Sequence, residues 1–268
     1  MNTVLKAGAA GALTLAALGA HASVAAPSSG SSDAVLFAEV VSGSTVVSSY
    51  AADTGISINT ITSGTKQTIL GSDAKLQSLF AADAPGDTIV WALMGAQYTG
   101  SFNNAGTPGN ATFITTSLGD SDPATSDGVQ NSLLPGFATG FNKDVGTLNS
   151  NLKGANSVIG ANPATAGVWD EVQNGGNTAS WYGALPTANT IGSSQALFQV
   201  LAASGGNNAL VASSQIGSTE LVQNGATGDL VINTGTGSPP PVPLPAAVWL
   251  LGSGLLGLTG VARRKLKA

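Results

Sequence analysis

The middle of the chain alternates short apolar, β-branched runs with breaks of Gly, Asn and Asp, a pattern that marks strands and turns. Runs over Ala34–Val41, Ser44–Tyr50, Ile56–Ile61, Thr88–Tyr98, Ala111–Ser117 and Asp229–Asn233 predict strands. "VSGST" predicts a hairpin turn between the first two. Three segments carry helical spacing instead. In "SDAKLQSLFAAD", Ser72 is suited to cap a helix whose one face is Leu76, Leu79 and Phe80. The others are "LPGFATGFNKDVGTLNSNLKGA", weakened by its glycines, and "SSQALFQVLAAS". The predicted fold is mainly β with a few helices, a β-rich α+β domain for which a sandwich is one arrangement.

Both ends break this pattern. At the N-terminus a short head with one cation, Lys6, leads into an apolar stretch from Ala7 to Ala20 and then into small residues. That layout is a secretory signal peptide, too short to span a bilayer comfortably and followed by polar sequence. Ala20-His21-Ala22 offers cleavage after Ala22, and Val24-Ala25-Ala26 offers a second site. At the C-terminus, Ala246 to Ala262 carries no charge, and seventeen helical residues reach about 26 Å, marginally enough for a thin hydrocarbon core. Pro243 and Pro245 suit a helix start, where amide donors are orphaned anyway. Trp249 suits the interface, and Arg263, Arg264, Lys265 and Lys267 favour the cytoplasmic side.

The predicted organisation is therefore a signal peptide (1–22), a flexible segment (23–32), an exported β-rich domain (33–234) and a Gly/Pro spacer (235–245). A transmembrane helix (246–262) and a basic cytoplasmic tail (263–268) close the chain. Prolines in "NTGTGSPPPVP" favour an extended spacer.

Val242-Pro243-Leu244-Pro245-Ala246, then "AVWLLGSGLLGLTG", then "ARRK", resembles the VPLPA variant of the PEP-CTERM sorting signals. The resemblance covers about thirty residues and rests on motif, helix length and basic cluster together. It implies recognition by an exosortase-type membrane protease of a Gram-negative bacterium, processing near Val242 to Ala246, and delivery to the cell surface or an exopolysaccharide matrix. The membrane contact would then be a transient single-pass anchor. It implies nothing about what the exported body does.

Composition narrows the body. His21, the only histidine, falls in the leader, and both arginines fall in the tail. From Ser23 to Gly237 the chain has no His, Arg or Cys, and its four lysines stand against fourteen acidic residues, a formal charge of −10. Nucleic-acid binding runs on Lys and Arg, so that partner is excluded. Without Cys no disulfide staples the fold, which must rely on its core. A Ser–His pair is ruled out, and zinc, haem and copper lose their usual ligands.

Four patterns carry candidate chemistry. Asp53-Thr54-Gly55 spells the aspartic-protease tripeptide, but Ile56 follows and no second copy exists, so it reads as a turn. Asp170 and Glu171 lie side by side and would point to opposite faces of a strand, which argues against a two-carboxylate hydrolase. Asp120, Asp122 and Asp127 in "GDSDPATSDG" present hard oxygen ligands for Ca²⁺, although the pattern departs from an EF-hand and a solvated turn accounts for it. Trp169, Trp181 and Tyr182 offer rings that could stack on sugars of an exopolysaccharide, or belong to the core. The expectation is a noncatalytic exported surface or matrix protein with no cofactor except a candidate Ca²⁺. A carbohydrate-binding module is the alternative, with a secreted hydrolase third.

Overall fold

The computed structural model describes residues 23–30, 32–43, 45–69, 73–160, 189–224 and 227–234. Within them the apolar runs pair into strands because a half- or fully buried pleated surface suits Val, Ile, Phe and Thr. The strands are β1 (Asp33–Ser42), β2 (Thr45–Ser57), β3 (Thr65–Ile69), β4 (Thr88–Tyr98) and β5 (Ala111–Thr116). After them come β6 (Ser157–Gly160), β7 (Asn189–Thr190), β8 (Gln195–Leu201), β9 (Ala212–Asn224) and β10 (Thr227–Thr234). They form one sheet in the order β3-β10-β9-β8-β5-β4-β1-β2-β6, with β7 beside β4 and every pairing antiparallel. The fold is thus mainly β with a few helices, on a single hydrogen-bonded sheet where the sequence had left a two-sheet sandwich open.

Each face of this sheet carries a buried apolar core. Three helices, α1 (Ile58–Ser63), α2 (Ala74–Ala81) and α3 (Leu134–Leu152), supply much of the cover. On one face Phe37, Ala92, Met94, Phe113 and Phe198 pack against Phe137, Phe141, Val145 and Leu148 of α3, with Phe113 and Phe137 edge to face at 6.4 Å. On the other, Leu36, Tyr50, Trp91, Leu93, Ile114, Leu221 and Leu230 meet Ile58 and Ile61 of α1 and Leu76, Leu79 and Phe80 of α2. Helix α2 touches β10 as well as β2 and β6, which lie toward opposite ends of the strand order, so the sheet curls around it. Residues 1–235 and 236–268 separate into two units, and the described residues all belong to the first.

Several expected elements stand: the "VSGST" hairpin, β1, β4, β5, β10, and helices at "AKLQSLFA" and along Leu134–Leu152. Others are corrected. The strand expected at Ile56–Ile61 is mostly α1, because the Ser57 hydroxyl accepts from the Thr60 amide and turns the chain into a helix. The helix expected across "SSQALFQVLAAS" is instead β8. Its Ala196, Phe198 and Val200 face one core and Leu197 the other, and a strand buried on both faces reads as a continuous apolar run. Asp73, next to the expected Ser72, caps α2 by accepting from the Lys75 and Leu76 amides. Strand β9, rich in Ser, Thr and Gln, gave no apolar signal and is held by ladders to β8 and β10. In the segment ahead of β1, Val24 is buried and exchanges two hydrogen bonds with Asn149 of α3.

Candidate functional site

The acidic loop after β5 is where three predicted ligands fall. Asp122 sits in a turn, its Oδ1 accepting from the Ala124 amide (2.8 Å), the Thr125 amide (3.0 Å) and the Ser213 hydroxyl (2.6 Å) on β9. Burial works to raise its pKa, but these donors outweigh that and hold the carboxyl below its ordinary value. Asp120 adopts a left-handed conformation (φ 61°) and turns the other way, accepting from the Ala196 amide of β8. Asp127 accepts from the Ser117 hydroxyl at 3.5 Å, and burial together with the charge of Asp122 pushes its carboxyl up. The loop therefore fastens β5 to β8 and β9 with its own carboxylates. Among the described residues no group of three or more acidic, His or Cys side chains is arranged to hold a metal ion.

Asp53-Thr54-Gly55 lies inside β2, where the register against β1 shifts, rather than in a turn between two strands. Gly55 takes φ +65°, and its amide donates to Asp53 Oδ1 at 2.8 Å. The Thr54 hydroxyl donates to the Ala34 carbonyl at 2.7 Å, and the Asp53 amide bonds the Asn156 carbonyl. Asp53 is 1% exposed, so the tripeptide forms a buried bulge that fixes β2 on its neighbours.

Two features escaped the sequence reading. Tyr50 donates its hydroxyl to Asp73 Oδ2 at 3.1 Å while Asp73 caps α2, and the Lys75 ammonium donates to the Ser157 carbonyl. Burial first, and then the negative charge of Asp73, hold the Tyr50 phenol well above its ordinary 10.0. This polar cluster locks α2 onto β2 and β6. The adjacent cap-forming residues Ser72 and Asp73 were the available signal. Glu39 is fully buried in the middle of β1, opposite Ser49 of β2 and Val90 of β4. A lone charge inside "AVLFAEVVS" could have flagged it.

The remaining predicted site residues lie outside the described residues: Ala20 and Ala22; Trp169, Trp181 and Tyr182; Val242, Pro243, Leu244, Pro245 and Ala246; and Arg263, Arg264 and Lys265. Among the described residues the exposed large hydrophobic side chains are Val47, Leu133 and Leu210, none of them aromatic. No described helix is long and apolar enough to cross a membrane. No family model, curated protein or solved structure matches the chain.

Proposed function

We propose that this is a noncatalytic surface or extracellular-matrix protein, exported through an N-terminal signal peptide and sorted by its C-terminus. The observation that carries the reading is the order Val242-Pro243-Leu244-Pro245-Ala246, an uncharged seventeen-residue run, and Arg263-Arg264-Lys265. Its physical logic is an address with a temporary anchor. The prolines hold an extended, cleavable strand outside the bilayer, the apolar helix halts translocation, and the basic residues stay on the cytoplasmic side. An exosortase-type membrane protease would then release the body to the surface or the exopolysaccharide. A domain of formal charge −10, rich in Ser, Thr, Asn and Gly, suits that hydrated setting.

The test is the C-terminal peptide of the native protein, measured by mass spectrometry in membranes and in extracellular material. The expected result is an extracellular form ending near Val242–Ala246. An intact Ala268 end, confined to membranes, would refute sorting and leave an ordinary single-span protein. Joint substitution of Pro243→Ala and Pro245→Ala should leave export unchanged and abolish tail removal.

A second reading, a carbohydrate-binding module, is favoured by Trp169, Trp181 and Tyr182 falling close together in the sequence while Trp91 is consumed by the core. Quenching or shift of tryptophan fluorescence on titration with purified exopolysaccharide would support it.

A further inference from the structure

Two peptidase sites compete at the end of the leader, and the fold discriminates between them. Val24 is 2% exposed and packs in the core beneath α3. Its amide donates to Asn149 Oδ1 at 2.7 Å, and its carbonyl accepts from Asn149 Nδ2 at 3.1 Å. The next residue is held as firmly: the Ala25 amide donates to Asp33 Oδ2 and the Ala25 carbonyl accepts from the buried Ser32 hydroxyl. The Ala26 carbonyl then accepts from the Ser29 amide and starts the short 3-10 turn Pro27–Ser29. Ser23, one residue earlier, is exposed.

We infer that the leader is removed between Ala22 and Ser23, and that residues 24–26 are a built part of the mature domain, clamped by Asn149. The inference rests on the export reading above. Cleavage there places the new ammonium on an exposed residue, where it stays hydrated, and preserves every contact of Val24 and Ala25. Cleavage after Ala26 would strip Val24 from the core and leave Asn149, Ser32 and Asp33 without these partners. It would also put a charge on Pro27, which is buried, and a buried unpaired charge is strongly disfavoured. The chemistry of the bond agrees: Ala26–Pro27 is a tertiary amide with no N–H for a peptidase to grip.

N-terminal sequencing of the full-length gene product, recovered separately from the exported fraction and from cells, tests this directly. A start at Ser23 is expected. A start at Pro27, or at any residue past the apolar stretch other than Ser23, would overturn the inference while leaving export standing. An exported product still starting at Met1 would overturn the inference alone, and a product found only inside cells with Met1 intact would overturn the export reading and this inference with it. In the same full chain, Asn149→Ala should keep the Ser23 start and lower the melting midpoint by about 4 °C, from two lost hydrogen bonds in a domain of this size. An unchanged midpoint would refute the clamp.

Discussion

Individual polar residues in this domain are spent on holding its parts together, and their titration should report it. Tyr50 is the clearest case, with its ring in the core and its hydroxyl on the cap of α2. Burial, and then the charge of Asp73, raise its pKa well above 10.0, so the folded state favours the neutral phenol. That contribution is fully present below the unfolded value and is lost as pH rises past it. The melting midpoint should therefore fall between about pH 9 and pH 11, and Tyr50→Phe should flatten the slope. Tyr98, which burial also raises, contributes to the slope that remains. Equal slopes in variant and parent would disprove the role of Tyr50. On the acid side Asp122 and Asp127 oppose each other. The lowered Asp122 contributes stability above 3.8 that is lost in acid, while the raised Asp127 favours the folded state at low pH and disfavours it as its carboxyl ionises.

At the scale of elements, the seat of α2 decides how the sheet curls. Leu76, Leu79 and Phe80 were legible in the sequence as one helical face, because spacing of three and four residues is a local property. What they meet was not. The Phe80 ring lies over Gly228 of β10, and a Cβ built there would fall 1.9 Å from the ring. Gly228→Ala should cost about 1–3 kcal/mol by pushing the ring off its seat. Chemical denaturation would measure the loss, and pairing with Phe80→Leu should recover part of it. An unaffected Gly228→Ala variant would mean that α2 docks differently. The two misread segments share one physical cause. "ALFQVL" and "ISINTI" are short apolar runs compatible with either period, so distant contacts decided one and a serine cap decided the other.

For the domain as a whole, a sheet with a core on each face should have a graded stability. Strands β1 and β4 lie well inside the strand order with side chains in both cores, whereas β3 and β6 are its end strands and β9 is widely exposed. Hydrogen exchange should accordingly be slowest along Val35–Val40 and Trp91–Met94 and faster at β3, β6 and the ends of β9. Uniform protection across the sheet would contradict this layering. The acidic loop shows the limit of local reading. Its three aspartates, within eight positions, take donors from Ser213, Ala196 and Ser117, and the partners on β8 and β9 lie far along the chain. The sequence by itself determined the class of the domain, the strands rich in β-branched residues, the hairpin at Gly43, and the lack of Cys, His and Arg between residues 23 and 237. All of these follow from composition or from neighbours within a few positions. Only the tertiary structure decided the strand order, the helix that the sheet wraps, the buried places of Glu39 and Asp53, and the anchoring of Val24 to Asn149, a partner 125 residues away. Such pairings depend on which distant surfaces meet, and no periodicity along the chain encodes that.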